Sequence, residues 1–443
     1  MTAAPAAPAA PAAAPTGEGL AARRASRDAR FRGIVFIAVG LLTVYVASKS
    51  MATPVEFSFW IRERGGDAAR LLTTVGVLAL VAALTAFAVG GLQLMRGAAF
   101  RWRPWLLLLV GPYVAMTLAA LLNGTPASLT NVFNGTLELA APIALGALAG
   151  ILSERSGILN IALEGKMLVG ACVASIAASV TVLITGVPLL GVFVGAGAAM
   201  VAGGLLGVLL AWLGIRHKVD QIIAGTVINI GAIGITNFLF LRILGRNTEF
   251  NTPATVGPMK LPFLSDIPVI GPILFSAKPY VYVAVVLVVI LTYLLFRTRW
   301  GLRLRASGEK PAAAGTVGIN VIAIRYRALF LAGLISGLAG SYLSLAAGGN
   351  FQMEMTAGKG YIALAATIFG AWHPVGALAA AMVFGFAENT QNLLSILGSS
   401  GETVQVPPQI LNSIPYLVTI IVVAGVVGRV RGPAAAGQPY EQG

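Results

Sequence analysis

Charged and reactive side chains are scarce in this chain of 443 residues. Asp, Glu, Lys and Arg together make up 10% of it, against about 25% in a typical soluble domain. There is one cysteine, Cys172, and there are two histidines, His217 and His373. A lone cysteine inside an apolar run excludes a disulfide framework and a cysteine metal cluster, so we interpret it as packing. With so few ligating and titratable groups, we predict no metal, no cofactor and no catalytic centre.

A phosphate-binding loop is also missing. No G-x-x-x-x-G-K-[ST] sequence occurs, and the Gly-Lys pairs at Gly165 and Gly358 are followed by Met and Gly. Nucleotide hydrolysis must therefore reside in another chain. The formal net charge of +14 does not indicate nucleic acid as a partner, because the basic residues are scattered between apolar blocks instead of forming one patch.

Hydrophobic residues, by contrast, make up 57% of the chain. They occur in blocks of about 17 to 25 residues, the length that an α-helix needs to cross a hydrocarbon core of roughly 30 Å. This pattern predicts an all-α fold, a polytopic transmembrane helical bundle of about ten to twelve spans. Candidate spans begin near Ile34, Leu71, Trp105, Val132, Ile161, Val187, Ile222, Tyr280, Ala328, Tyr361, Val375 and Leu411.

The tails and spans divide the chain into four segments. Residues 1–32, rich in Ala and Pro, are predicted to be a disordered tail, and residues 33–125 hold the first three spans. Residues 126–430 form the main bundle, which contains a basic loop at 297–327, and residues 431–443 form a second tail. Lys and Arg are most frequent in the loops that share a side with both tails, which predicts that both termini are cytoplasmic.

Several polar side chains fall inside the predicted spans, where charges are costly and mark functional sites by default. Amides and carboxylates can hydrogen-bond the hydroxyls and base edges of a neutral polar solute. The candidate pathway residues are Asn134, Glu138, Glu164, Asn229, Asn237, Glu388 and Asn392. Two alternatives stay open: such side chains also join helices to one another, and Glu164 lies close enough to a span end to reach the headgroups.

Two further patterns concern the assembly of the helices. Pairs of glycines four residues apart, at Gly191 and Gly195, Gly203 and Gly207, and Gly333 and Gly337, allow helix backbones to approach closely. A weak internal repeat relates Ile161–Leu163 to Ile362–Leu364, and transporters are often built from repeated halves.

Three stretches carry a resemblance to a known family. They are SERSGILNIALEGKMLVGA (Ser153–Ala171), GLRLRASGEKPAAAGTVGIN (Gly301–Asn320) and GKGYIALAATIFGAWHPVGALAAAMVFG (Gly358–Gly385). Together they resemble permeases of the branched-chain amino acid, ribose and simple-sugar family of ABC importers, which have a type II-like fold. The first stretch looks like the branch that imports nucleosides with a lipoprotein of the basic-membrane-protein type. The likeness covers about Val132 to Val427 and leaves the role of the first three spans unexplained.

The second stretch resembles the segment of such permeases that docks into a groove of the ATPase. The resemblance implies that the coupling residues are Arg305, Gly308, Glu309, Ala313 and Gly318. Arg303, Arg305 and Lys310 are expected to face the partner, Gly308 to allow a turn, and Pro311 to occupy a first helical turn.

The resemblance also implies a set of partners and a location. The partners are ABC ATPase subunits, a second homologous permease, an extracytoplasmic substrate-binding lipoprotein, membrane lipid and a small neutral polar solute, and the location is a bacterial cytoplasmic membrane. We expect nucleosides first, ribose-like or other simple sugars second and branched-chain amino acids third. A secondary transporter or channel and a structural membrane scaffold are the alternatives from other classes.

Overall fold

The structure, a computed structural model, describes residues 17–50, 53–60, 68–100, 127–399 and 432–440, together with the single positions 105, 112 and 116. Over these residues the chain is almost entirely helical, as the sequence predicts.

The helices are bounded as follows: α1 Gly17–Ser50, α2 Val75–Arg96, α3 Leu129–Arg155, α4 Leu163–Thr185, α5 Pro188–Ala211, α6 Gln221–Leu239, α7 Ile270–Leu274, α8 Pro279–Arg297, α9 Arg299–Glu309, α10 Pro311–Thr316, α11 Val321–Tyr342, α12 Lys359–Phe369 and α13 Pro374–Ser399. Three helices continue into π-helical turns, at Trp212–Arg216, Phe240–Leu244 and Leu343–Gly348. The short strands are β1 Pro54–Trp60, β2 Ala68–Thr74, β3 Ala127–Ser128, β4 Met259–Lys260 and β5 Ser276–Ala277, and Gly97–Ala99 and Thr248–Asn251 are 3₁₀ turns.

Local sequence explains where several helices begin. Asp220 accepts hydrogen bonds from two backbone N–H groups of α6, at 2.8 and 3.1 Å. Thr298 and Asn320 each accept one such hydrogen bond, from α9 at 3.1 Å and from α11 at 2.9 Å. These side chains satisfy N–H groups that the first helical turn leaves without partners. Proline opens four further helices, where its missing N–H costs nothing: α5, α8, α10 and α13.

The chain divides into two compact units. The first contains residues 1–58 and 70–127, and the second contains residues 128–399 and 404–443, with short exchanged segments. In the first unit, α1 and α2 pack closely through small residues: a Cβ on Gly40 would lie 2.7 Å from Phe87, and one on Gly90 would lie 2.9 Å from Ile37. Helix α1 already begins at Gly17, so the predicted disorder does not extend to residue 32, because Ala and Arg in this stretch favour helix.

In the second unit, α5 crosses α4 and α11 through a seam of glycines. A Cβ on Gly203 would lie 2.3 Å from the carbonyl oxygen of Gly333, and one on Gly337 would lie 2.0 Å from that of Ala199. No side chain fits at such distances, so the backbones are in direct contact. A Cβ on Gly191 or Gly195 would likewise lie 2.9 or 2.7 Å from a carbonyl oxygen of α4, so the prediction of close helix approach is confirmed for all three pairs.

Seven helices among the described residues are long and apolar enough to cross a membrane: Val75–Arg96, Leu129–Arg155, Leu163–Thr185, Pro188–Arg216, Gln221–Leu244, Pro279–Arg297 and Val321–Gly348. The spans predicted near Ile34 and Val375 fall on α1 and α13, of 34 and 26 residues. Those predicted near Trp105 and Leu411 lie largely outside the described residues.

Two predicted spans need correction. The one placed at Leu71 begins only at Val75, because Ala68–Thr74 forms β2 and Thr74 caps the helix by accepting from the Val77 N–H. The one placed at Tyr361 is helix α12, which has 11 residues. At 1.5 Å per residue it is about 16 Å long, roughly half of the hydrocarbon thickness, so it does not cross alone.

Candidate functional site

Helix α12 is preceded by an irregular segment, residues 349–358. The other end of α12 leads to Ala371 and Trp372, whose carbonyl oxygens accept hydrogen bonds from Arg155 at the end of α3. We call this end of the bundle, which also carries α9, the α9 end. The start of α12 therefore lies about 16 Å from the α9 end, within the bundle. Such interrupted spans occur in membranes only where protein or a cavity surrounds the backbone, and in transporters they border the solute.

The irregular segment adopts a costly backbone conformation. Glu354 and Ala357 have φ of 54° and 46°, a region that non-glycine residues seldom occupy. Gly349 and Gly358 bracket them with φ of 70° and 81°. Strain of this kind persists only where surrounding contacts impose it, and it is concentrated at functional sites.

Glu164 supplies the contacts that hold the start of α12. Its two carboxylate oxygens accept hydrogen bonds from the backbone N–H groups of Gly358, at 2.9 Å, and Gly360, at 2.6 Å. The residue is 6% exposed. A carboxylate at a helix N-terminus satisfies free N–H groups and opposes the positive end of the helix dipole. Glu164 is thus inside the protein and not at the headgroups.

Asn229 completes this junction from α6. Its Nδ2 donates to the carbonyl oxygen of Ile161 at 2.9 Å and to the Tyr361 hydroxyl at 3.2 Å. Its Oδ1 accepts from the Gly165 N–H at 2.8 Å. Nearby, the fully buried Lys166 donates from Nζ to Asn160 at 2.7 Å. The two stretches of the predicted repeat, Ile161–Leu163 and Ile362–Leu364, therefore meet at the starts of α4 and α12.

Two ion pairs line the bundle beyond this junction. Lys359 Nζ lies 2.6 Å from Glu388 Oε1 on α13, with the two side chains 12% and 16% exposed. Lys278 Nζ lies 3.1 Å from Glu138 Oε2 on α3, with both side chains 19% exposed. These four groups, which we call the paired charges, are neither fully buried nor on the open surface. Their formal charges sum to zero.

Tyr342 of α11 lies between the two pairs. Its side chain is 1% exposed, and Lys278 Nζ is 5.9 Å from its ring centroid. Tyr280 packs edge-on against it at 5.5 Å and bonds Ser341 at 2.9 Å. A buried aromatic cluster thus packs beside the ion pair of Lys278 and Glu138.

The remaining candidate pathway residues are placed differently. Asn134 donates to three backbone carbonyls between Pro272 and Ser276, at 3.3 to 3.4 Å, and so fastens the segment around α7. Asn237 is half-buried, and its Oδ1 has no hydrogen-bond partner. Asn392 is exposed, one turn beyond Glu388. The structure therefore pairs Glu138 and Glu388 with lysines. It places Glu164 and Asn229 at the start of α12.

A pocket of about 470 Å³ opens where α6 ends. Its lining includes Phe240, Thr248, Asn350, Phe351 and Gln352. Phe351 is held in place through its backbone, whose N–H and carbonyl both bond the Asn251 side chain, at 2.7 and 2.9 Å. The irregular segment thus runs from this pocket to Lys359 of the paired charges.

At the α9 end, residues from the start of the first family-like stretch, Ser153–Ala171, connect several helices. Glu154 Oε2 accepts from the Trp372 indole at 2.5 Å. The Ser156 carbonyl accepts from Ser307 Oγ and from Arg325 Nε, both at 3.1 Å. These residues, which we call the coupling junction, connect α3 to α9, α11 and the turn after α12.

Four of the coupling residues implied by the resemblance lie on α9 and α10, and the fifth, Gly318, follows α10. Glu309, Ala313 and Gly318 are exposed. The expected turn occurs at Lys310 and not at Gly308, which lies within α9. Gly308 is required for packing, because a Cβ there would lie 2.2 Å from the Arg155 carbonyl oxygen. Pro311 does occupy a first helical turn, as predicted.

Arg305 packs beside Phe296. It is half-buried, and its guanidinium lies 5.1 Å from the Phe296 ring centroid. His373 stacks on the same ring at 4.8 Å. Burial and the nearby Arg155 lower the pKa of His373, so its imidazole is neutral at pH 7. Its Nδ1 accepts from the Val375 N–H at 3.3 Å.

Sequence reasoning missed both lysines of the paired charges. Lys278 and Lys359 stand beside loops, and counting them as loop cations obscured their role. The available signal was the cost of an isolated carboxylate in a span, which requires a partner. This cost predicts that Glu138 and Glu388 each have a basic partner, but it does not indicate which lysine or arginine.

Comparison with known proteins agrees with the geometry. Residues 131–424 match the family described as branched-chain amino acid transport system / permease component. The chain belongs to this family. The resemblance predicted from three short stretches is thus confirmed, with nearly the same boundaries. Helices α1 and α2 lie outside the matched region.

Individual relatives are similar over almost their whole length. The guanosine ABC transporter permease protein NupQ of Bacillus subtilis (strain 168) is 40% identical over 71% of this chain and 98% of its own. The nucleoside ABC transporter permease protein NupC of Lactococcus lactis subsp. cremoris (strain MG1363) is 36% identical over 69% and 94%. The putative glucose ABC transporter permease protein TsgC13 of Haloferax volcanii (strain ATCC 29605) is 31% identical over 70% and 97%. No solved structure matches the chain.

Proposed function

We propose that this permease forms the transmembrane pathway for nucleosides in an ATP-driven importer. The identity of 40% and 36% to permeases named for guanosine and nucleosides supports this substrate class over glucose, whose named relative is 31% identical. The observation that carries the proposal structurally is the set of paired charges around Tyr342, beside a broken span.

The chemistry of these groups suits a nucleoside. Carboxylates accept hydrogen bonds from ribose hydroxyls and exocyclic amino groups, and ammonium groups donate to base carbonyls. The pathway needs no net charge, since the paired charges already neutralise one another. The pocket lined by Phe240 and Phe351, at about 470 Å³, has the size of an ordinary small-molecule site and would receive the solute first.

The energy would enter at the α9 end. Exposed Glu309, Ala313 and Gly318 on α10 and beside it are proposed to meet an ATPase subunit. We propose that the α9 end and both termini lie in the cytoplasm, because the ATPase acts there. The protein would then lie in a bacterial cytoplasmic membrane, with a second permease beside it. An extracytoplasmic lipoprotein would deliver the solute to the opposite end. Alternating access then requires that the site bind the solute weakly once the donor has released it.

Reconstitution tests this proposal. The permease, its second permease and their ATPase are placed in vesicles with the binding protein, and uptake of labelled guanosine is measured with and without ATP. Uptake should depend on ATP hydrolysis, and uridine should compete with it while a tenfold excess of glucose should not. Uptake that needs an ion gradient and no ATP would instead indicate a secondary transporter, and competition by glucose alone would indicate a sugar permease.

The paired charges give a residue-level prediction. Glu388→Lys or Lys359→Glu alone should lower uptake at least about tenfold, because each places two like charges 2.6 Å apart in a partly buried site. The double exchange restores an ion pair and should recover uptake to within about threefold of the original.

The ion pair between Arg70 and Glu56 provides the control for this measurement. It is longer, at 3.4 Å, and the Arg70 side chain is 68% exposed, so exchanging its charges should leave uptake unchanged. If uptake by the double exchange did not exceed uptake by the single variants, at equal amounts of protein in the membrane, Lys359 and Glu388 would not act as an ion pair in the pathway.

A further inference from the structure

The C-terminal residues Gly432–Tyr440 pack against the α9 end of the second unit. We call them the C-terminal strap. The Ala435 N–H donates to the Gly308 carbonyl oxygen at 2.9 Å. The Ala434 N–H donates to Glu309 Oε2 at 3.3 Å. Ala435 is 3% exposed, so the strap is seated in the protein surface and is not a free tail.

Other strap residues contact the elements around α9. Gly437, with φ of 82°, packs against Leu159 in the turn after α3. Gly432 packs against Trp372 in the turn after α12. The hydroxyl of Tyr440 lies against Gly315 of α10, where an added Cβ would be 2.6 Å away. The strap thus touches the same elements that the coupling junction connects.

Tyr440 has a second contact that explains its position. Its ring centroid lies 5.8 Å from the guanidinium of Arg325. Arg325 is 1% exposed and donates to the carbonyls of Ser156, at 3.1 Å, and Ser307, at 3.4 Å. Within the described residues, no carboxylate forms an ion pair with it. A buried cation needs compensation, and the electron-rich face of an aromatic ring provides it.

We propose that the C-terminal strap is a positioning element of energy coupling, in which Tyr440 covers Arg325 and holds α9 and α10 to α11 as one lever. This inference rests on the proposed function, because it assumes that an ATPase acts on α10. The contact of Tyr440 with Gly315 joins α10, which follows α9 at Lys310, to Arg325 of α11. We expect the loss of this contact to weaken the transfer of motion from α10 to α11.

The test uses the full transporter in vesicles and measures ATP hydrolysis and guanosine uptake in the same sample. Tyr440→Leu keeps apolar volume and removes the aromatic face, whereas Tyr440→Phe keeps the face. We expect Tyr440→Leu to lower uptake per ATP hydrolysed at least about fivefold, with hydrolysis within twofold of the original. Tyr440→Phe should stay within twofold in both, and so should Gln438→Ala, whose side chain bonds only within the strap.

Three outcomes would overturn the inference. They are an unchanged ratio in Tyr440→Leu, a rise in uptake, which would make the strap inhibitory, and loss of the ATPase from the purified complex, which would make it a docking surface. Failure of the proposed function is distinguishable, because the original protein itself would then show no ATP-dependent uptake.

A thermal measurement keeps the inference testable if Tyr440→Leu accumulates poorly. In the original background, Tyr440→Leu should lower the melting temperature of the purified permease by about 3 °C. In an Arg325→Met background it should cost less than about 1 °C, since no cation remains to be covered. Equal shifts in both backgrounds would show that the ring does not act through Arg325.

Discussion

Glu164→Ala is expected to reduce uptake about a hundredfold or more. The substitution removes both acceptors at the start of α12 and leaves the N–H groups of Gly358 and Gly360 without partners in the bundle interior. Hydrogen bonds to a charged group contribute about 1.5 to 3 kcal/mol each, and about 1.4 kcal/mol corresponds to a factor of ten. Because Lys359 is the first residue of α12, its pairing with Glu388 would be lost as well.

Two variants bound this expectation. Glu164→Gln keeps one acceptor oxygen and should retain more uptake than Glu164→Ala, though less than the original. Glu354→Gln changes an exposed carboxylate in the same irregular segment and should have no effect. Uptake is compared after normalising to the amount of folded protein in the membrane. Full uptake by Glu164→Ala would show that the carboxylate does not set the position of α12.

The bundle itself could be predicted because its signals are local. Apolar blocks, capping residues and glycine spacing act within one helix or between neighbours, and they located most helix starts to within a few residues. The broken span could not be predicted in the same way. Residues 358–369 are apolar enough to resemble a span. The observed helix begins only at Lys359, where Gly358 and Gly360 donate to Glu164, almost two hundred residues earlier in sequence.

The candidate site shows the same limit. Glu138 and Glu388 were identifiable because a carboxylate in a span is costly wherever it lies. Their partners were not, because Lys278 and Lys359 stand outside the spans in sequence and enter the bundle only through the fold. Glu164 and Asn229 were predicted as pathway residues, yet both have their hydrogen-bonding groups engaged by backbone and by Tyr361. We therefore propose that these two position α12 and that the paired charges meet the solute.

For the family-like stretch around Glu154, the sequence indicated the family and the structure shows the contacts. Its match to transport permeases indicated the family, but not what the residues do. In the structure, Glu154 and Arg155 hold the turn after α12, and the Ser156 carbonyl accepts from α9 and α11. The same turn, through α12, leads to Lys359. A displacement of α9 would thus reach the paired charges through one helix of 11 residues.

Gly337→Val is expected to give the largest structural defect, with folded protein and uptake both reduced at least about tenfold. A Cβ at Gly337 would lie 2.0 Å from the Ala199 carbonyl oxygen and 3.0 Å from the Met200 Cα, so α5 and α11 would have to separate. Overpacking of this kind costs about 1 to 3 kcal/mol or more, and here the obstacle is backbone that cannot rotate away.

Gly197→Val on α5 is the matched control for this prediction, because a Cβ there meets nothing within 4 Å. It carries the same change in helix propensity, less than about 1 kcal/mol, and should leave both folded protein and uptake near the original values. Comparison of the two variants separates the effect of packing at the glycine seam from the effect of helix propensity, since both substitutions place valine in a long apolar helix. Equal behaviour of the two variants, measured by detergent-stable yield and by uptake, would show that α5 and α11 do not pass in backbone contact.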